Sequence, residues 1–478
     1  MKSRMLPQSS PYDPAEDPPG SIDPLGTVTG AEQLAEVLLP GVTARMWRVR
    51  LLTFAALAAE VSRRVAAGRD DRVIEARLAF ERMFVSAIAR QEQQETDWRR
   101  ASRRLPGIGL ARQALRAGDQ PLARDNFLKG QGVNGPFGVM SRLARDIGLV
   151  DEIGELERAG TELLLAWAED QELPGLLDDE TGRFGANWLR KLVKQVSAYL
   201  EDGKNWPPKY WPGWEDLAGR LRPDRPGSRE QQVIKKLLSN DPLGIRERVV
   251  HMLGDREVVS IYRAAIAHPD RGDVERAVIT EGFSRSAAHD EVGRTLHASI
   301  QLIDAYERIS GILESVFRGL LWGLTRNNGQ AQRTVVVNDP SLRPFLVQAR
   351  SKLGPAVKAF QTRLESFETD PLAVKRRSVD IDRMHKLLDD ANAASPSVDD
   401  CVSAVMARHF RVQKEKHKGV WIEEDTKWTL MPGFGDTAHE PLLYDWYLHP
   451  YRITNIYGML ADLGVVPEVK ATDGEESE

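Results

Sequence analysis

Acids, lysines and arginines capable of chemistry fall in a few short stretches of this chain. Glu423, Glu424, Asp425 and Lys427 lie together in the segment GVWIEEDTKWTLMPG, residues 419–433. A metal-dependent nuclease needs an acid pair and a lysine on adjoining strands, and this segment alternates as a β-hairpin turning near residues 424–426 would. The same side chains also suit an exposed charged turn, and no second acid–lysine set on a strand completes a nuclease centre. Cys401 and His409 are eight residues apart, roughly 12 Å along a helix, too far for direct pairing, so a buried cysteine is expected. The chain has no Gly-x-Ser-x-Gly elbow, no P-loop, no H-E-x-x-H or H-x-H pair, and no paired H-x-K motif. The sequence therefore predicts no catalytic residue, no metal site and no cofactor.

Binding chemistry is better represented. Arg408, Arg411, Lys414, Lys416 and Lys418 crowd one stretch, with Trp421 just beyond. Clustered fixed charges beside an aromatic suit phosphate contacts with some base stacking, and equally suit a solvated helix end. Arg45, Arg48 and Arg50 precede the apolar run LLTFAALAA, on what the pattern reads as the first turns of a core helix capped by Thr43. They could take a phosphate or a partner carboxylate, or pair with acids such as Asp70, Asp71 or Glu75. A run with Trp98, Arg99, Arg100, Arg103 and Arg104 could grip phosphates, although a solvated helix end is the favoured reading. Trp206, Tyr210, Trp211 and Trp214 sit among prolines. They read as an aromatic platform for a base or a partner, or as a loop plugged into a groove by its tryptophans.

Composition limits the classes open to these residues. The chain has 478 residues, and its 41% hydrophobic and 28% charged content is that of a globular protein. A net charge of −5 excludes a chain-wide polycation, so nucleic-acid contact must come from local patches. One cysteine excludes an internal disulfide and a cysteine-based zinc site. No apolar run reaches the ~18 residues of a membrane span and no signal-peptide core opens the chain, so a cytoplasmic location is expected.

The elements that must position these residues are mostly helices. Thr29 and Glu32 have capping-box spacing before a helix stopped at Pro40 and Gly41. Residues 72–94, 155–173 and 188–200 follow as amphipathic helices, and 288–324 carries apolar residues at three- and four-residue steps, a bundle core. Residues 333–338 read as one short strand. Gly130, Gly132 and Gly135 match G-x-G-x-x-G, but no buried strand precedes them. Pro136 opens a helix ending at Gly148, which reads as part of a winged-helix-like element. The chain is thus expected to be mainly α, multi-helix and multi-domain, with a small β-hairpin near its C-terminus. The expected order is a disordered tail (1–21), an N-terminal helical domain with the winged-helix-like element (22–174) and a Trp/Pro-rich connector (175–227). A helical bundle (228–415), a segment of basic patch, hairpin and aromatics (416–466) and an acidic tail (471–478) complete it.

Several of these motifs together resemble a broad, poorly characterised group of bacterial proteins in anti-phage defence neighbourhoods. The residues are Asp23-Pro24-Leu25-Gly26, then Leu39-Pro40-Gly41 with Thr43 and Arg45, then Arg50 and Phe54. Gly135 to Gly138, Ile147-Gly148-Leu149, the Trp/Pro loop, Arg229-Glu230 and Tyr451-Arg452-Ile453 echo it more weakly. The resemblance implies a helical core and a setting beside helicases, methyltransferases and nucleases. The function expected from both lines is a non-catalytic accessory subunit of a bacterial defence complex, binding DNA or a helicase, nuclease or methyltransferase partner. A metal-dependent nuclease centred on residues 419–433 and a purely structural scaffold are the alternatives.

Overall fold

The helix Leu51–Ala66 is sealed on nearly every face, because LLTFAALAA offers no polar stripe to water. It packs against Val73–Gln94, Pro136–Asp146, Arg158–Asp170 and Phe184–Asp202. Phe54 stacks on Phe80 and Phe84, ring centroids 5.3 and 4.3 Å away. A computed structural model describes residues 23–178, 182–202, 206–267, 271–284, 290–376, 379–435, 440–444 and 446–469. Among them are twenty-one α-helices and three short strands, so the fold is mainly α. The terminal segments expected as tails, 1–21 and 471–478, lie outside the described residues.

The chain forms two compact units, each assembled from separated stretches rather than from consecutive blocks of sequence. The first takes the described parts of Met1–Val37, Arg271–Thr280 and Arg294–Pro450, and the second those of Leu38–Asp270, Glu281–Gly293 and Tyr451–Glu478. In the first, Leu296, Ile300, Ile303, Tyr306, Ile309, Ile312 and Val316 are all buried along the helix Glu291–Arg326, as their spacing predicts. Arg343–Glu368, Ile381–Ala394 and Val398–Glu415 pack on one another. The hairpin exists: strands β2 (Ile422–Glu424) and β3 (Trp428–Leu430) pair antiparallel, with Glu423 opposite Thr429. Residues Gln330–Ala331 add a third strand, β1, on the other edge of β3.

Three local expectations are corrected. The first helix begins at Thr27, not after Thr29, and Asp23 Oδ1 accepts its leading amide at 2.9 Å. Residues 44–50 are turns and the buried helix starts only at Leu51. The carbonyls of Ala44 and Met46, which a helix would use internally, are taken instead by the Asn455 side-chain amide at 2.8 and 3.0 Å. Residues Arg333–Val337 are helical despite three consecutive valines. Val336 packs against Gly323, and that burial overrides the strand preference of a β-branched run.

Candidate nucleic-acid interface

The three arginines before the buried helix have three different fates. Arg50 is 2% exposed and faces inward. Its Nε donates to Glu230 Oε1 at 3.1 Å, Nη2 lies 3.0 Å from Glu230 Oε2, and Nη1 donates to the carbonyls of Arg222 and Arg225. Thr53 Oγ1 and the Gly227 amide also donate to Glu230, which is wholly buried. As an external anion ligand Arg50 is therefore ruled out, and its partner is Glu230 rather than Asp70, Asp71 or Glu75. Arg48 is held by Asp462 at 2.8 Å. Burial pushes the Asp462 carboxyl up to about 6, against the pull of Arg48 and the Val49 amide. Arg45 is exposed, with its guanidinium on the Asn134 side-chain oxygen.

The second arginine run comes to the same place. Trp98 is buried at the start of the short helix Trp98–Ser102, with the Arg222 guanidinium 4.5 Å from its ring centre. That anchor leaves Arg99, Arg100 and Arg103 exposed. Arg48 Nη2 donates to the Arg100 carbonyl at 2.5 Å, and the Arg104 guanidinium stacks 3.5 Å over Trp47. Two stretches fifty residues apart in sequence thus form one arginine surface within the second unit. Arg100 meets Asp224 and Glu468, at 3.7 and 2.7 Å.

The patch at residues 408–418 largely disperses. Arg408 is 4% exposed, with Nε on the Leu25 carbonyl at 2.7 Å and Nη1 on Asp390 at 2.6 Å. Arg411 shares Asp390, and Lys416 binds the Asp23 carboxylate at 2.8 Å. Trp421 is buried and stacked on Phe434 at 4.5 Å, so it offers no face to a base. Only Lys414 and Lys418 of the six remain exposed. The reason is positional: Cys401, Val402, Val405, Arg408, His409 and Val412 form one stripe at helical spacing, and the stripe faces inward. Cys401 is buried there as expected, its thiol pushed up to about 11 by desolvation.

The aromatic loop is a plug with one free tip. Trp214 is buried, with Trp206 and Trp211 at 5.4 and 5.1 Å and Tyr199 against Trp206 at 5.1 Å. Its indole N–H donates to the Pro208 carbonyl at 3.0 Å, closing the loop on itself. Tyr210 alone stands out, 86% exposed.

The glycine motif is explained by packing rather than by a cofactor. Residues Gln131–Asn134 make one helical turn, and Pro136 starts the next helix, Pro136–Asp146, with Gly148 in a left-handed conformation beyond its end. Phe137, Val139, Met140, Leu143 and Ala144 of that helix are buried, so its apolar face is spent on the core. The amide at its N-terminus already has a carboxyl partner: the Phe137 N–H donates to Glu81 Oε1 at 2.7 Å, and the Gln131 side chain donates through Nε2 to Glu81 Oε2 at 2.7 Å. Burial pushes the Glu81 carboxyl up to about 7 despite these donors. A Cβ on Gly138 would overlap the Gly132 carbonyl oxygen and lie 2.7 Å from the Val133 carbonyl carbon. Gly138→Ala should therefore cost about 1–3 kcal/mol. Gly109→Ala, where a Cβ meets nothing, should be neutral or stabilising by up to about 1 kcal/mol. Thermal denaturation of the two variants checks the contrast, and an unchanged Tm for Gly138→Ala would contradict it.

Glu423, Glu424, Asp425 and Lys427 are exposed on the hairpin, and Glu424 accepts the Trp428 indole N–H at 2.9 Å. Among the described residues no three His, Cys, Asp or Glu side chains are grouped to hold a metal ion. Sequence reasoning missed one buried polar constellation in the first unit. His449 bonds Glu307 at 2.6 Å through Nδ1 and the Thr27 hydroxyl at 3.2 Å through Nε2, while the Leu448 amide donates to the same carboxylate at 2.7 Å. Burial opposes a charged ring, but the Glu307 carboxylate outweighs it and holds His449 above the usual histidine range. The available signal was Glu307 itself, an acid beside Tyr306 on the apolar stripe of its helix.

Compared with protein-family models, with curated proteins and with solved structures, the chain matches none. No helix among the described residues is long and apolar enough to cross a membrane.

Proposed function

We propose that this protein is a non-catalytic, cytoplasmic DNA-binding subunit, acting in the anti-phage defence setting that its motifs suggest. The observation that carries the reading is the union of Trp47 and Arg48 with the stretch that holds Arg99, Arg100, Arg103 and Arg104. Guanidinium groups make forked hydrogen bonds to phosphate, and several on one surface release several counterions when a strand binds. Binding of this kind follows the backbone and is tolerant of sequence. Arg48, tied to Asp462, orders the surface, while Arg99 and Arg103 reach solvent. Fluorescence anisotropy with single- and double-stranded DNA, at low and raised salt and with Mg²⁺ present, tests the proposal. Binding should weaken steeply with salt, with a slope corresponding to roughly three to five phosphate contacts, and the DNA should stay intact. Salt-insensitive binding, no binding at low salt, or cleavage would contradict it.

A partner-docking role for the aromatic loop is the second reading, favoured by the exposure of Tyr210 on a base of packed tryptophans. A helicase, nuclease or methyltransferase from the same setting is the partner class it would serve.

A further inference from the structure

Three buried N–H groups of the second unit have no acceptor, and they gather on one aromatic-lined face. Arg82, Ser86 and Arg90 recur at steps of four along the helix Val73–Gln94, so they share a side, and each is buried. Tyr199 of the helix Phe184–Asp202 and Trp214 of the helix Gly213–Arg220 lie against that side. The Arg82 guanidinium is 5.5 Å from the Tyr199 ring centre, and the Arg90 guanidinium 4.6 Å from that of Trp214. Trp206 sits between the two rings, 5.1 Å from Tyr199 and 5.4 Å from Trp214. The indole N–H of Trp206 and the Nε–H of both arginines are buried without a hydrogen-bond partner. The arginines differ in how their charge is met. Arg90 is paired with Asp119, whereas Arg82 has only a neutral acceptor, Gln131 Oε1 at 2.9 Å. Glu81 beside it is engaged by the Phe137 amide and Gln131 Nε2, and attracts Arg82 through space alone.

We infer that this face is a binding site for one phosphate group, held between Arg82 Nε and the Trp206 indole N–H. A buried donor without an acceptor has given up its hydration with nothing in return, and a buried cation has given up more. Phosphate oxygens accept from guanidinium and indole N–H groups alike, and a charged acceptor strengthens both bonds. The rings of Tyr199 and Trp214 flank the site, and a contact made among them acts at low local dielectric. Trp206 is only half-buried, so the site borders solvent on the side of the aromatic loop. Bound there, the phosphate ties that loop to the helix Val73–Gln94. The site draws on none of the residues of the arginine surface and does not depend on the DNA-binding reading.

Equilibrium dialysis of the full chain against radiolabelled inorganic phosphate, and separately against adenosine monophosphate, tests the site at fixed ionic strength in chloride. One ligand per chain should bind saturably. Trp206→Phe keeps the ring and loses the N–H, and should weaken that binding roughly tenfold. Arg82→Lys keeps a charge but loses the guanidinium's fork, and should weaken it at least as much. Phosphate bound elsewhere on the protein would be indifferent to the Trp206 N–H, so the phenylalanine variant decides the location. The two ligands separate the sources of the group: tighter binding of the nucleotide assigns the site to a phosphate ester, and tighter binding of inorganic phosphate assigns it to the free ion. No saturable binding of either ligand, or equal affinities in the full chain and Trp206→Phe, would overturn the inference.

Discussion

Arg50→Ala is expected to destabilise the second unit by about 3–5 kcal/mol, the usual cost of stranding one member of a buried ion pair. Glu230 has no solvent exposure, and the substitution leaves its carboxylate with Thr53 and Gly227 as neutral donors only. It also strands the carbonyls of Arg222 and Arg225, which Nη1 of Arg50 holds at 3.1 and 2.8 Å. The side-chain volume is lost as well, so a cavity adds to the electrostatic cost. Removing both charges as Arg50→Met, Glu230→Gln should recover part of the loss, because no unpaired ion then remains buried. Urea denaturation followed by tryptophan fluorescence reads both effects. A loss below about 1 kcal/mol for the single variant would mean that Arg50 is hydrated and that its internal role is wrongly drawn.

Acid should weaken the first unit through His409, by roughly 3 kcal/mol between pH 6.5 and 4. The ring is wholly buried, its Nδ1 donates to the Pro24 carbonyl at 3.0 Å, and its Nε2 accepts the Trp421 amide at 2.9 Å. One nitrogen giving and the other receiving requires the neutral ring. Burial lowers its pKa to about 4, with the Pro24 bond as a partial offset. The unfolded chain takes up the proton near 6.5, so the stabilisation is whole above that pH and is lost as pH falls through 4. His449 works in the other direction. Its raised pKa makes its contribution whole below 6.5 and lost as pH rises through the folded value. Below pH 6 that histidine is charged both folded and unfolded, so it does not mask the effect of His409. Histidine ring resonances followed by NMR isolate the group: His409 should hold its neutral-ring shift down to about pH 4. Titration near 6.5 would contradict the geometry.

What could be read from the sequence follows from how local each signal is. The buried helix, the long bundle helix and the hairpin were legible because hydrophobic period and turn residues lie within a dozen positions of one another. Pro136 and Gly148 bounded a helix for the same reason. The arginine surface was half legible. Both of its runs stood out in composition, but their meeting depends on Trp47 beneath Arg104 and on Arg48 reaching the Arg100 carbonyl. Neither contact has a sequence signature. The patch at 408–418 misled because charge was counted without phase: placed on the helical wheel, Arg408 and His409 share the stripe of Cys401 and Val405. Residues 44–50 had helical composition throughout, and the contacts that accompany their turns, the Asn455 amide on the Ala44 and Met46 carbonyls and the Asp462 carboxyl on Arg48 and the Val49 amide, come from more than four hundred positions away.

The most direct test of the account sets the two basic regions against each other in one binding titration. Arg99→Glu, Arg103→Glu should lower DNA affinity by roughly tenfold or more at low salt and flatten the salt slope by about two. Lys414→Glu, Lys418→Glu, on the exposed remnant of the other patch, should leave affinity within about twofold. If the lysine variant loses binding and the arginine variant keeps it, the arginine surface is not the interface and the central claim fails.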